Sequence, residues 1–235
     1  MMANYKIDIK GVICPNSYAW WYDWIGEDYT CPSAVSSVLD VASELDNVDV
    51  YINSGGGEIA SGSDIYTALK SSKANVNIHI TGQACSAASV IAMAGHSEMS
   101  PTALMMVHCV STCAQGNHSD MEKTAAVLAT ADNALASAYA LKAGMSLDEA
   151  LEMMEAETWL TASRAKELGL IDAIMFEEAE TDALVAANGF RLPSEAQMNQ
   201  ARAMIEAQKE ENRLKEERLA SVRAAALNLL EGDTQ

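Results

Sequence analysis

Basic residues are scarce in this sequence. Fifteen Lys and Arg stand against 33 Asp and Glu, for a formal net charge of -18. That sign excludes nucleic-acid binding through phosphate neutralisation, and the acidity is read as a device for solubility. Cysteine is little help to a metal. The five (Cys14, Cys31, Cys85, Cys109, Cys113) are odd in number and include no C-x-x-C pair. No histidine-rich motif accompanies them, which argues against zinc and for reduced thiols. The spacing of Cys109 and Cys113 is the one ligand-like pair, and nothing completes it. Long hydrophobic runs are missing too: none approaches the ~18 residues of a membrane span. The opening stretch MMANYKIDIKGVI lacks the apolar centre of a signal peptide. The expectation is a cytoplasmic protein without metal or organic cofactor, bound to neither membrane nor nucleic acid.

What the chain does contain is ample core material, with 49% hydrophobic residues, and an alternating pattern of elements. YKIDIKGVI reads as a half-buried strand. YAWWYDWIGEDY holds three of the four tryptophans and is expected to cover core or an interface, with a binding surface as the alternative. PSAVSSVLDVASELDN sets Val35, Val38, Ala42 and Leu45 on one helical face, with Pro32 at its start. VDVYINS is a strand running into the glycines 55 to 57, SDIYTALKSS a helix, ANVNIHITG a strand and TALMMVHCV another. A long helix follows from Ser119, with Glu122 at capping-box spacing and Gly144 as its stop. Ser146 and Glu149 open the next helix in the same way. TASRAKELG and LIDAIMF close the pattern as helix and strand. Strands alternating with helices predict an α/β fold with parallel pairing. After Phe176 the composition changes, to a linker at 177–194 and a charged helical extension at 195–235.

The glycine run in NSGGGEIASGS fits neither the dinucleotide fingerprint nor the P-loop, which needs a lysine. Attention turns instead to GQACSAASVIAMAG, residues 82 to 95, where Ser86 stands at a helix start. A serine there is ordinarily an N-cap. It can also be a nucleophile, because unpaired N–H groups and the positive dipole end lie beside it. The N–H of Ala87 is then well placed for a developing oxyanion, and the glycines offer a second backbone edge. A serine nucleophile requires a base. Of His79, His96, His108 and His118, His108 ends an apolar strand and can be held rigidly facing a cleft, whereas His96 and His118 fall in polar turns. Spacing does not select a third group from 33 acids.

YINSGGGEIASGSDIYTAL, GQACSAASVIAMAG, LMMVH and AETWLTASRAKELGLID occur in the order and spacing of the caseinolytic (Clp-type) serine peptidases. The resemblance covers roughly residues 5 to 176. The last stretch, with ASVIAMAG, is most similar to the branch acting as head-maturation or prohead proteases of tailed phages. The resemblance implies a spiral of stacked ββα units on residues 1–176, as in the ClpP/crotonase-like folds. It also implies homo-oligomeric rings, stacked through the long helix near 120 to 143, that act on proteins such as capsid or scaffold subunits. By matched position Ser86 is the nucleophile and His108 the general base. Glu157 stands where the better-known members carry aspartate, with Glu155 and Asp172 as alternatives. The oxyanion donors are the backbone N–H groups of Gly57 and Ala87. The family's SPGG appears here as SGGG, and MVHCV replaces its usual glutamine-proline after the histidine. Two other readings share the fold: a catalytically weak scaffold or assembly protein, and an enoyl-CoA hydratase-like enzyme, which needs no Ser–His pair.

Overall fold

Period-two burial along the strands determines the architecture. In β1 (Asn4–Ile13), Ile7, Ile9 and Ile13 are buried while Lys6, Asp8 and Lys10 face out. The computed structural model describes residues 2–177, together with Lys209 and Arg213, both helical. The chain divides into two compact units, Met1–Thr181 and Asp182–Gln235. The linker expected at 177–194 and the charged helix expected at 195–235 lie, apart from Glu177, Lys209 and Arg213, outside the described residues.

After β1 come a 3-10 turn (Asn16–Tyr18), α1 (Ala19–Ile25), β2 (Tyr29–Thr30) and α2 (Pro32–Leu39). Then follow β3 (Asn47–Gly57), α3 (Ile59–Ser71), β4 (Asn75–Cys85), α4 (Ala87–Ala92), β5 (His96–Met99) and β6 (Leu104–Val107). The last elements are α5 (His118–Ala143), α6 (Leu147–Glu155), β7 (Thr158–Thr161), α7 (Ala162–Glu167) and β8 (Ala173–Ile174). The sheet runs β2-β1-β3-β4-β5-β8, parallel throughout, with β6 added beside the end of β4 and β7 antiparallel to β6. The α/β class with parallel pairing is therefore as expected. One face carries the core, where Val48, Val50 and Ile52 of β3 and Ile78 and Ile80 of β4 join Val35 of α2, Ile65 and Leu69 of α3 and the apolar residues of α4 in one buried cluster. The other face is polar, as a sheet half-covered within its own chain should be. There His79 stacks on Tyr51 and reaches Glu98 at 2.7 Å and Asp49 at 3.3 Å.

Four local expectations are corrected. The helix from Pro32 ends at Leu39, and Leu45 is 68% exposed, so the periodic run Val35 to Leu45 is helical only in its first half. The cap of α5 is Asn117 paired with Asp120, two residues earlier than Ser119 with Glu122. His96 begins β5 and His118 begins α5, where polar turns were expected. The aromatic segment around α1 buries none of its helical residues, so it does not cover core.

At the far end of the unit, Lys142 of α5 donates to Gly95 O at 2.9 Å and to Asp172 at 2.5 Å. Asp172 also accepts from Ser97 N at 2.7 Å, and His96 stands 3.3 Å away. Burial raises the Asp172 carboxyl, but Lys142, the Ser97 N–H and His96 outweigh it and leave it below its ordinary value.

Candidate active site

The carboxyl ends of parallel strands are where open α/β sheets place their sites, and β4 changes neighbour just there. Asn77–Ile80 pair with β5, whereas Gln83–Cys85 pair with β6. Ser86 follows immediately. Its N–H donates to Met106 O at 2.9 Å, and its backbone sits at φ 55, ψ -126. That conformation costs a non-glycine residue about 1–3 kcal/mol, so the surroundings must impose it. Although Ser86 occupies the N-cap position of α4, its side chain caps nothing. Its carbonyl serves the helix instead, accepting from Ser89 N at 2.9 Å and Ser89 Oγ at 2.7 Å. The hydroxyl is turned the other way, with Oγ 2.8 Å from His108 Nε2. The simple N-cap reading of Ser86 is thereby excluded.

Every residue of α4 is buried, and its small side chains account for how close it lies to its neighbours. A Cβ added to Gly62 of α3 would come 2.9 Å from Ala87 Cβ. A Cβ on Gly56 would come 2.7 Å from Ser86 Cβ and 3.1 Å from Ala87 N. The glycine strand thus passes the first turn of α4 at contact distance, with Gly56 against Ser86 and the Ala87 N–H. Ser89, the other serine of the motif, is buried and hydrogen-bonded to Tyr139 OH at 2.8 Å. Burial pushes the Tyr139 phenol far above its ordinary range and keeps it neutral. Burial likewise raises the Cys85 thiol beside Ser86, which holds it protonated.

His108 stands one residue past β6. Cys109 N donates to Met154 O at 3.2 Å, and Val110 N donates to Asp132 Oδ1 at 2.6 Å. These bonds tie the segment after the histidine to α6 and α5. Burial, then the charges of Asp132 and Glu155, raise the Cys109 thiol. Asp132 does not stand out in the sequence, since a mid-helix acid among many carries no signal.

The three acidic candidates are placed differently. Asp172 belongs to the Lys142 clasp described above, which removes it from any pairing with His108. Glu155 ends α6 and acts on Cys109 through its charge. Glu157 precedes β7, whose antiparallel register pairs Val107 with Thr158; continued by one residue, it sets Glu157 opposite His108. Glu157 adopts φ 47 and is exposed. Among the described residues no side chain hydrogen-bonds His108 Nδ1, so Ser86 and His108 are paired while Glu157, the candidate third member, is adjacent in register only.

Two cavities meet at Gly57. The larger, about 620 Å³, runs from Gly57 and Ile59 to Val110 and Thr112, with Val127 and Leu128 of α5 along it. The second, about 530 Å³, lies between Gly55–Gly57 and the residues Gly11, Val12 and Asp28. No group of three or more His, Cys, Asp and Glu among the described residues is arranged to hold a metal ion.

Residues 33–178 match the Clp protease family. The chain belongs to this family. The ATP-dependent Clp protease proteolytic subunits of two Bacteroides fragilis strains are each 31% identical to it over 157 residues, 65% of this chain. The match spans 76% of one subunit and 71% of the other. Membership of the Clp protease family carries peptidase chemistry of the serine type, and the parallel α/β sheet agrees with it. The matched span takes in Ser86, His108, Glu157, Gly57 and Ala87, but starts after the aromatic segment around α1.

Proposed function

We propose that the protein is a serine endopeptidase in which Ser86 is the nucleophile and His108 the general base. The observation that carries this is the 2.8 Å contact between Ser86 Oγ and His108 Nε2, made by a serine whose backbone is held in a costly conformation and whose side chain caps no helix. As Ser86 Oγ bonds to the scissile carbonyl carbon, His108 Nε2 takes its proton, and the carbonyl π pair moves onto oxygen. The backbone N–H groups of Gly57 and Ala87 receive that oxyanion. When the pair returns, the C–N bond breaks and His108 gives the proton to the departing amine. Water then attacks the acyl-serine with His108 again as base, releasing the acid and restoring Ser86. Glu157 is assigned to His108 Nδ1, from its position opposite the histidine in the β6–β7 register.

The substrate backbone lies against Gly57, with side chains on either side of the scissile bond in the two cavities. The apolar walls from Ile59, Val127 and Leu128 favour an apolar residue in the larger one. Rings of subunits are part of the same reading. Only Ala136, Ala138 and Tyr139 are buried along the 26 residues of α5, which leaves most of that helix to pack against another copy. The resemblance of ASVIAMAG and AETWLTASRAKELGLID to the prohead proteases extends the proposal to capsid or scaffold proteins as substrates, processed during phage head maturation. Co-expression with a tailed-phage capsid protein tests it. The wild type should yield a shortened capsid protein, and the Ser86→Ala chain should not. A capsid protein left at full length by both, while peptides are still cleaved, would remove the head-maturation role and leave the peptidase.

A further inference from the structure

A protease of this kind must hold a flexible chain while one bond is cut, and the aromatic segment rooted beside Gly57 is exposed as if for that purpose. β1 ends at Ile13, whose carbonyl accepts from Glu58 N at 2.8 Å and lies where a Cβ on Gly57 would be, 2.1 Å away. The chain then leaves the sheet through the 3-10 turn and α1, and returns with Val12 N on Asp28 O at 3.1 Å and Cys14 N on Thr30 O at 3.0 Å. The outgoing stem therefore pairs with the glycine strand, the returning stem pairs with the end of β1, and Val12 and Asp28 share a cavity with Gly55, Gly56 and Gly57.

Within the excursion the tyrosines hold and the tryptophans do not. Tyr22 stacks on Tyr29, whose hydroxyl donates to Asp23. Trp20 and Trp24, one helical turn apart, are 66% and 72% exposed, and among the described residues the ring contacts of Trp21 are with these two. Tyr18 and Ile25 are exposed as well. Exposed tryptophans grouped in this way are unusual on a monomer surface and mark binding. The excursion also carries Asp23, Glu27 and Asp28 and no Lys or Arg between Cys14 and Thr30. Two copies meeting here would oppose like charges, whereas a chain with apolar and basic side chains would be complemented, the cations resting on indole faces as well as on carboxylates.

We propose that Trp20 and Trp24 form a docking surface for the part of an extended substrate polypeptide that continues from the cleft at Gly57, with preference for apolar and basic side chains. This rests on the peptidase reading above. It is separable from it, because docking is measured without cleavage. In the full chain carrying Ser86→Ala, a fluorescent unstructured peptide rich in leucine and lysine should bind. A matched peptide of serine and glutamate should not. Adding Trp20→Ala and Trp24→Ala should weaken binding about tenfold, and Trp20→Phe with Trp24→Phe should recover most of it. In the cleaving chain, the two alanines should lower kcat/KM for the long peptide relative to a tripeptide reporter by a similar factor.

Equal affinity with and without the tryptophans would overturn the proposal. So would a fall in assembled mass by light scattering in the alanine variant, since the patch would then be a contact between copies. Binding that depends on the tryptophans in a chain that cleaves nothing would uphold the docking surface and refute the peptidase reading.

Discussion

α4 and α1 are both short helices at the carboxyl edge of one sheet, and they are built in opposite ways. In α4 four of the six side chains are alanine or serine, and every one is buried. In α1 four of the seven are aromatic, and none is buried. Close packing around α4 lets Gly56 and Gly62 press on Ser86 and Ala87, and this enforced proximity sustains the Ser86 backbone at φ 55. α1 is under no such constraint and leaves its rings in solvent. The contrast separates two tasks. Chemistry needs atoms fixed to fractions of an ångström; capture of a varied chain needs area without fixed geometry.

The largest effect should come from the fixed region. Ser86→Ala or His108→Ala should reduce peptide turnover by roughly 10⁴ or more, and the double variant should be no worse than either, because the two act as a unit. Single-turnover kinetics on all three variants checks this; additive losses would mean the two groups act separately. Glu157→Gln should come next, lowering kcat by about tenfold to a hundredfold, since the amide keeps the shape but loses the charge that stabilises an imidazolium. Full activity in that variant would leave the orienting role to Glu155 or to a backbone carbonyl.

The two helices are not equally legible in the sequence. Glycines and alanines around Ser86 point to a tight site, because small residues in an apolar run let backbones meet, and a hydroxyl kept among them needs a polar partner. His108 is legible from its place at a strand end. The segment with Trp20, Trp21 and Trp24 reads as a cover for core or an interface and covers no core in this chain, since hydrophobicity alone does not say on which side of the surface a ring falls. Leu45 misleads for a related reason: its spacing from Val35, Val38 and Ala42 suits a helix, but the helix stops at Leu39. Asp132 is illegible, because its importance lies in the N–H of Val110, 22 residues away. Glu157 falls opposite His108 in register, but its side chain is exposed, so geometry does not read its role.

Smaller effects sharpen the same contrast. Gly62→Ala should destabilise by about 1–3 kcal/mol through overpacking, and should lower turnover as well because the new methyl presses on Ala87. Trp24→Ala should change stability by no more than about 0.5 kcal/mol. Thermal unfolding of both variants makes the comparison, and a large loss for Trp24→Ala would mean the ring packs against something in the assembled protein. Away from both helices, Asp172→Asn should cost about 1 kcal/mol at neutral pH, its partial exposure limiting the effect. The folded carboxyl lies below its ordinary value of 3.8, so its contribution is complete above that value. The difference from wild type should shrink as pH falls through and below it. Denaturant titrations at neutral and strongly acidic pH read this directly.

The most direct measurement is active-site labelling of the full chain with a fluorophosphonate, followed by peptide mapping. A hydroxyl activated by His108 should take the phosphonyl group at Ser86, at a rate that collapses in His108→Ala and with no label at all in Ser86→Ala. An unlabelled wild-type chain that is otherwise folded and assembled, or a label found on another serine, would contradict the assignment of Ser86 as the nucleophile.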